Sequence, residues 1–210
     1  TTGVGAALNT AGIKPGSSVV VFGCGGVGLN ILQAAALCGA AQIIAVDVVP
    51  AKMLLARQFG ATHTVNSQES DPLAAIADLT GGRGADYAFD ASGVQAVQRL
   101  AYDAVRRGGM VVYVGIGPHD AVVSLPAGRL PREDKTLKGS YYGGANLRRD
   151  VPLILDLYSA GRLKLDELIS RRDPLDAINE TFEAMLGGEI ARGVIVFEEN
   201  SSPQRNQGEK

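Results

Sequence analysis

The sequence has few cysteines, no long apolar run and no excess of positive charge. Its 210 residues include two cysteines, too few for the disulfide framework of a secreted domain, so we expect a reducing, cytoplasmic location. No stretch approaches the roughly 18 consecutive apolar residues that a membrane span needs. The net charge of −2 and the pI near 5.7 argue against nucleic-acid binding, because phosphates require a basic patch. We therefore predict neither membrane nor nucleic acid as a partner.

What the sequence has in abundance is glycine, with 27 residues, and short β-branched runs that alternate with helical stretches. This alternation is typical of a parallel α/β sheet. Helices are expected between the strands, and right-handed crossovers turn this order into a doubly wound, six-stranded parallel sheet with helices on both faces. The predicted strands are 17–22, 41–47, 63–66, 85–92, 109–117 and 136–144.

Beyond residue 144 the alternation changes. We predict a helix that begins near Asp150, with Pro152 in its first turn, and a second helix whose N-cap is Asp173. A final strand is expected at 192–197, and the tail at 198–210 has no apolar anchor and is predicted to be flexible.

The first predicted strand runs into the sequence "GCGGVG", with glycines at the G-x-G-x-x-G spacing. Gly23 permits a tight turn, Gly25 lets a pyrophosphate approach the backbone, and Gly28 lets the following helix pack closely on the sheet. The amides at the start of that helix would face the anion. This pattern predicts a Rossmann-type dinucleotide site, in which the phosphate-binding residues are Gly23, Gly25, Gly26, Val27 and Gly28.

Asp47 ends the second predicted strand, 19 residues after Gly28. A carboxylate at this place accepts hydrogen bonds from the ribose hydroxyls of adenosine and repels a 2′-phosphate, so the sequence favours NAD over NADP. The alternative is that Asp47 only caps the helix that begins near Pro50.

Several separate segments carry a family resemblance: "TTGVGAAL", "KPGSSVVVFGCGGVGLN", "IIAVDVVPAKMLLARQFGATHTVN", "LKGSYYGG" and "INETFEAMLGGEIARGVIVF". Together they resemble the medium-chain, zinc-containing alcohol dehydrogenases, in order from Thr1 to about Phe197. The resemblance implies that residues 1–141 form the NAD-binding domain and that 142–197 form a C-terminal segment returning toward a catalytic domain. It implies hydride transfer between an alcohol or aldehyde and NAD.

The resemblance also implies cofactor contacts at the nicotinamide end. Thr2 matches a threonine beside the nicotinamide, and Val114, Gly115 and Ile116 match the strand end whose backbone holds the carboxamide. Tyr142 matches an aromatic residue at the nicotinamide ribose; a tyrosine that only packs is the alternative.

Two basic residues match positions at the other end of the cofactor. Lys52 matches a residue at the adenosine ribose, although taken alone it is a solvated helix lysine. Arg192 matches an arginine that reaches the pyrophosphate, with an ordinary surface arginine as the alternative.

Zinc ligands are not expected on this chain. The resemblance implies that the cysteines and the histidine or acid that hold the family's zinc ions lie upstream of Thr1. Cys24 and Cys38 are interpreted as packing residues, and His63 and His119 have no thiol or carboxylate set nearby. We therefore expect Thr1 to be a cut point, no metal site and no catalytic residue in this chain, and cofactor binding without the parent enzyme's reaction.

Three other functions remain open from the sequence. Zinc-free medium-chain reductases share the fold but as a rule prefer NADPH, which Asp47 disfavours. Methyltransferases also have a glycine-rich first turn but place an acid just before it, where this chain has Phe22. A non-catalytic NAD-binding module is the third.

The expected macromolecular partner is a second copy of the chain. In the family that the sequence resembles, the last strand of the nucleotide-binding sheet pairs with its counterpart, giving homodimers or homotetramers. The stretch 121–139 is apolar in its first half, with no helix predicted to cover it, so we expect the contact there.

Overall fold

Six parallel strands form the central sheet of the computed structural model, which describes residues 1–197. The sheet order is β3-β2-β1-β4-β5-β6 and helices flank it, which confirms the predicted doubly wound fold. The order reverses between β1 and β4, and ligands of such sheets bind at the carboxyl ends of the strands beside that reversal. The strands are β1 Ser18–Phe22, β2 Gln42–Asp47, β3 His63–Asn66, β4 Ala85–Asp90, β5 Val105–Tyr113 and β6 Thr136–Gly139.

Helices connect the strands as crossovers, and the core lies between them and the sheet. Val19, Val20 and Val21 have no exposed surface, as expected for a parallel strand covered on both faces. The helices of this part of the chain are α1 Thr2–Gly5, α2 Gly26–Leu37, α3 Pro50–Gln58, α4 Pro72–Leu79, α5 Gln95–Ala104, α6 Arg129–Arg132 and α7 Leu147–Ser159.

Helix α4 was not predicted, although the sequence contains its start signal. Asp71 is the N-cap, its carboxylate accepts a hydrogen bond from the Leu73 amide at 3.0 Å, and Pro72 occupies the first helical position. An aspartate–proline pair before an apolar run is the pattern that indicates this helix.

The N-terminal helix was also not predicted. After α1 the chain continues as a π-helix, Ala6–Ala11, and the Gly12 amide donates to the Ala7 carbonyl at 3.1 Å, five residues back. The helix ends where Gly12 adopts a left-handed conformation, with φ 61°.

Two predicted strands were wrong at their ends by four residues or more, and those predicted at 85–92 and 192–197 end two residues early, at Asp90 and Ile195. Strand β5 begins at Val105 and ends at Tyr113, because the Val114 and Gly115 amides both donate to the Asp90 carbonyl at 2.9 Å and turn the chain away. Strand β6 ends at Gly139, because the residues from Tyr142 to Gly144 form a left-handed turn that a strand cannot contain.

Two predicted helix starts were also wrong. Helix α7 begins at Leu147, so Pro152 lies inside the helix rather than in its first turn. Asp173 is not an N-cap; it ends strand β7 (Arg171–Asp173), and its carboxylate accepts from the Thr181 hydroxyl and pairs with Arg171.

The chain divides into two compact units, Thr1–Leu165 and a second that begins at Asp166. In the second unit β7 pairs in parallel with β8 (Gly193–Ile195), and helix α8 spans Ile178–Leu186. The predicted tail at 198–210 lies outside the described residues. From residue 1 to residue 197, every helix is too short or too polar for a membrane crossing.

Candidate cofactor site

The turn after β1 is closed by two of the three motif glycines. Gly23 has φ 92°, in the left-handed region, and its amide donates to the Val46 carbonyl at the end of β2, at 2.9 Å. A Cβ atom on Gly28 would lie 1.8 Å from the Gly23 carbonyl oxygen. Only glycine at position 28 therefore lets helix α2 start this close to the turn.

Gly25 differs from both, because nothing in the protein requires a glycine there. Its backbone is extended, with φ −77° and ψ −174°, which any residue adopts, and a Cβ atom would meet open space. Gly25 is the N-cap of α2, and Gly26 and Val27 begin its first turn, where helix geometry leaves amides without intrahelical acceptors. The open space over these amides fits an anion that approaches the backbone.

Asp47 joins the ends of the first two strands. One carboxylate oxygen, Oδ2, accepts from the Cys24 amide at 2.7 Å, while Oδ1 accepts from the Val48 and Val49 amides at 2.8 and 3.0 Å. The N-cap of α3 is Val49, so the alternative interpretation of Asp47 as the helix cap is not what the structure contains. A carboxylate accepts about four hydrogen bonds, which leaves capacity for a ligand hydroxyl.

Lys52 lies half-buried in the first turn of α3. Burial and the Asp47 carboxylate raise the pKa of the Cys24 thiol to about 12, whereas the Lys52 ammonium acts in the opposite direction. Burial raises the pKa of Cys38 as well, so both thiols stay protonated at neutral pH, consistent with packing roles.

A second feature is a cavity of about 260 Å³ beyond the ends of β5 and β6. It gathers four residues that the resemblance assigned to the nicotinamide end, although they come from three distant parts of the chain. Tyr142 is 62% exposed, so within this chain it is not a packed core tyrosine. The cavity is lined by Thr2, Val114, Ile116, Ser140, Tyr141 and Tyr142.

Gly115 lies beside this cavity and is held by the loop after β4. A Cβ atom on Gly115 would lie 2.1 Å from the Gly93 amide nitrogen, and one on Gly117 would lie 2.4 Å from the Gly93 carbonyl oxygen. The two loops therefore touch backbone to backbone, which fixes the path of the chain at Gly115.

Asp90, which the sequence analysis missed, organises that loop. It is fully buried at the end of β4, and its carboxylate accepts from the Ser92 amide and hydroxyl, the Gly93 amide and the Gln98 side chain. An acid that ends an apolar strand before Ser and Gly was the available signal, since such residues form Asx-type loops.

Arg192 belongs to the second unit, where its carbonyl accepts from the Ser170 amide at 2.9 Å. Its predicted contact with a pyrophosphate stays a prediction.

The histidines have ordinary surroundings. His63 begins β3 and its Nδ1 bonds to the Thr62 hydroxyl at 2.9 Å; His119 lies exposed in the loop after β5. In the described portion, no group of three or more His, Cys, Asp or Glu side chains could hold a metal ion. The predicted lack of a zinc site on the whole chain remains a prediction.

Known proteins with similar sequences are dehydrogenases. The chain is 40% identical over 205 residues to an alcohol dehydrogenase class-3 from Cereibacter sphaeroides, covering 94% of this chain and 54% of that protein. It is 39% identical over 204 residues to an S-(hydroxymethyl)glutathione dehydrogenase from Paracoccus denitrificans, with the same coverage. The chain thus spans about half the length of the curated relatives it matches.

Solved structures that superpose on this chain are dehydrogenases as well. The benzyl alcohol dehydrogenase from Acinetobacter calcoaceticus superposes with a TM-score of 0.88 at 34% identity, over 92% of this chain and 53% of that one. A zinc-binding dehydrogenase from Sinorhizobium meliloti, solved with NADP bound, superposes with a TM-score of 0.77 at 27% identity, over 93% of this chain and 54% of that one.

The sequence model of one family, described as zinc-binding dehydrogenase, matches residues 26–160, from the start of α2 through α7. This range is more than half of the chain and contains the ends of β2, β4 and β5, which form part of the candidate site, whereas Gly23 and Gly25 lie just before it. On this evidence the chain belongs to the zinc-binding dehydrogenase family.

Proposed function

We propose that this chain is the NAD-binding portion of a zinc-dependent alcohol dehydrogenase, and that it binds NAD(H) without oxidising alcohols by itself. The parent enzyme would transfer a hydride between an alcohol or aldehyde and NAD. The chain matches only about half of its relatives' length, which is consistent with zinc ligands outside it.

The observation that carries the proposal is the open space at Gly25. Close packing explains why position 28 is glycine, and a positive φ explains position 23, but neither explains position 25. A ligand that must touch the backbone does explain it. Asp47, anchored to the same turn through the Cys24 amide, lies where the adenosine ribose of that ligand would follow.

The chain's own residues would bind and orient the cofactor. Amides of Gly26 and Val27 would face the pyrophosphate, and Asp47 would accept from ribose hydroxyls while Lys52 balances the local charge. At the other end, the cavity of Thr2, Val114, Ile116 and Tyr142 would hold the nicotinamide. When bound, the nicotinamide accepts or donates the hydride; the protein supplies position and electrostatics.

Titration with NADH tests the proposal directly. The chain has no tryptophan, so the fluorescence of bound NADH can be followed without that background, and calorimetry gives the stoichiometry independently. We expect saturable one-to-one binding, and no reduction of NAD when ethanol or benzyl alcohol is added. Absence of binding in both measurements would contradict the proposal.

Replacing Asp47 by serine is expected to narrow the preference for NADH over NADPH about tenfold to a hundredfold. The reason is that each charge-assisted hydrogen bond to a ribose hydroxyl is worth about 1.5–3 kcal/mol, and the repulsion of a 2′-phosphate disappears with the charge. Parallel calorimetric titrations of both dinucleotides measure the ratio.

The control for that substitution is Asp71→Ser, which replaces a different loop aspartate that caps α4. It should leave the NADH/NADPH ratio as in the wild type. Because the Asp47 carboxylate also accepts from the Cys24, Val48 and Val49 amides, D47S should lower the melting temperature as well. An unchanged cofactor ratio would remove Asp47 from the specificity role.

The coding sequence upstream of Thr1 distinguishes the proposal from its alternatives. In a zinc alcohol dehydrogenase the resemblance predicts a cysteine shortly before the position of Thr1. Its absence would favour a zinc-free reductase or a self-standing NAD-binding module, and a preference for NADPH in the titrations would point to the reductase.

We also propose that the chain forms homodimers through β6. This strand is the edge of the sheet and all four of its residues are exposed, so its outer backbone groups are available for pairing. Val122, in the preceding segment, is 79% exposed. A short helix, α6, lies within the segment, which the sequence had not indicated.

An ion-pair cluster holds the chain just before this edge. The buried Lys135 ammonium donates to the Tyr102 carbonyl at 3.1 Å and pairs with Glu133 at 2.8 Å. Hydrogen bonds from Arg129 and then Lys135 lower the pKa of Glu133 to about 2, so the cluster stays charged across the usual pH range. It would present the edge strand in a fixed position.

Light scattering at tens of micromolar tests the dimer. We expect a dimer mass for the wild type and a monomer mass for Val122→Glu, because the substitution puts an unpaired charge into the apolar half of the proposed contact at 121–139. Leu54→Glu, which changes a leucine on α3 that is also largely exposed (70%), should remain dimeric. A monomeric wild type would contradict the proposed assembly.

A further inference from the structure

The turn that carries Tyr142 has an unfavourable backbone. Tyr142 has φ 49°, and the next two residues, Gly143 and Gly144, have φ 75° and 58°. Glycine tolerates the left-handed conformation. A bulky aromatic residue such as Tyr142 adopts it only when its surroundings enforce it. Two sets of contacts enforce it here, one with the N-terminal helix and one with a buried carboxylate.

The first of these contacts is the close packing of the turn on the N-terminal helix. A Cβ atom on Gly143 would lie 2.7 Å from the Thr2 carbonyl oxygen and 2.8 Å from the Gly5 Cα atom, and one on Gly5 would lie 2.4 Å from the Gly143 carbonyl oxygen. The turn and the helix therefore touch through backbone atoms, with no room for side chains between them.

The second contact involves the buried carboxylate of Asp150. Asp150 is 5% exposed and accepts from the Asn146 amide at 2.9 Å and from the Asn9 side-chain amide at 3.0 Å. Arg149 donates to the same carboxylate and holds its pKa below the usual range, so it is charged at neutral pH. The Asn146 contact ties the chain just beyond the turn.

Asn9 extends this connection to the turn itself. Its Nδ2 group, which donates to Asp150, also donates to the Gly143 carbonyl at 3.3 Å, and its Oδ1 accepts from Arg149 at 3.0 Å. One asparagine from the π-helix thus links the buried carboxylate to the residue that follows Tyr142.

We propose that Asp150 and Asn9 are positioning residues for the nicotinamide half of the cofactor, because together they hold Tyr142 in the left-handed conformation that directs its ring to the nicotinamide-side cavity. The inference rests on the proposed function, since it assigns the cavity of Thr2, Val114 and Tyr142 to that half. Neither residue is among those that line this cavity.

The test compares two ligands that differ in the half concerned. NADH fills the whole site, whereas ADP carries the adenosine and both phosphates but lacks the nicotinamide ribose and ring. For Asn9→Ala and for Asp150→Asn we expect NADH to bind about five- to tenfold more weakly and ADP to bind as tightly as to the wild type. Asp150 is buried, and its replacement by Asn can lower stability. In that case Asn9→Ala still tests the inference, because Asn9 is exposed.

Two controls separate positioning from a general structural effect. Arg148→Ala alters an exposed residue of the same helix turn and should change neither affinity. In a Tyr142→Gly background, where the turn no longer needs to be held, the additional effect of Asn9→Ala on NADH should disappear.

The outcomes are distinct. Equal weakening of NADH and ADP, or no weakening of either, overturns the inference while leaving NADH binding by the wild type intact. An Asn9→Ala effect that persists in the Tyr142→Gly background overturns it too. A wild-type chain that binds neither ligand overturns the proposed function itself, and the inference with it.

Discussion

Replacement of Gly25 by valine is expected to weaken NADH binding at least about a hundredfold with only a small fall in melting temperature, which arises because valine is a poorer N-cap than glycine. The Cβ position at residue 25 is open and the backbone there is extended, a conformation that β-branched residues favour. The side chain would therefore occupy only the space in which the pyrophosphate approaches the amides of α2. Losing two charge-assisted hydrogen bonds of about 1.5–3 kcal/mol each accounts for the size of the effect.

Calorimetric titration with NADH and thermal unfolding of the same sample measure the two quantities. Gly128→Val is the matched control, because Gly128 also has a negative φ and ordinary space around its Cβ position, far along the chain. Because Gly128 is also an N-cap, Gly128→Val should lower the melting temperature by a similar small amount and leave NADH affinity unchanged. Wild-type affinity in Gly25→Val would mean that no ligand approaches the turn at residue 25.

Replacement of Gly28 by alanine is expected to act mainly on folding, with a loss of stability of about 3 kcal/mol. A single methyl group would lie 1.8 Å from the Gly23 carbonyl oxygen, and that atom belongs to a turn fixed by the Val46 carbonyl. Either the turn opens or α2 moves away from the sheet, and overpacking of this kind typically costs about 1–3 kcal/mol, occasionally more.

Urea unfolding measures this effect as a lower midpoint concentration, with Gly128→Ala as the control. NADH affinity should fall in Gly28→Ala too, because the amides of Gly26 and Val27 move with the helix. A midpoint equal to that of the wild type would show that the turn yields easily, and the closeness of α2 to the turn would then have no role in stability.

The sequence was sufficient to predict the sheet, because the pattern that identifies each strand lies within the strand itself and the turn after it. A run such as Val19–Phe22, buried on both faces, is apolar throughout, and the glycine spacing after it reports the strand-to-helix turn directly. Strand ends were less predictable. The end of β5 depends on the Asp90 carbonyl, which lies on a neighbouring strand and leaves no mark in the sequence at 114–117.

The residues of the candidate site also differ in how far the sequence alone predicts them. Gly23, Gly28 and Asp47 follow from a motif within one βαβ unit. The cavity residues Thr2 and Tyr142 were named only through a family resemblance, since 140 positions separate them. The link between Asn9 and Asp150 has a sequence separation of 141, and no periodicity or spacing relates such residues before the chain has folded.

The π-helical segment at Ala6–Ala11 limits which insertions and deletions this chain can accept. A π-helix is one residue longer per hydrogen-bonded loop than an α-helix, so deleting any one of these residues would let the segment relax to α-helical pairing. Because the extra residue is taken up by the wider π loop, its removal would leave α1 close to its present rotation about the helix axis, and Thr2 would stay at the cavity. A further insertion would instead rotate everything before it by about 100° and turn Thr2 away. The segment can therefore lose one residue more easily than it can gain one, and Asn9, which links Gly143 to Asp150, is the residue whose identity it must keep.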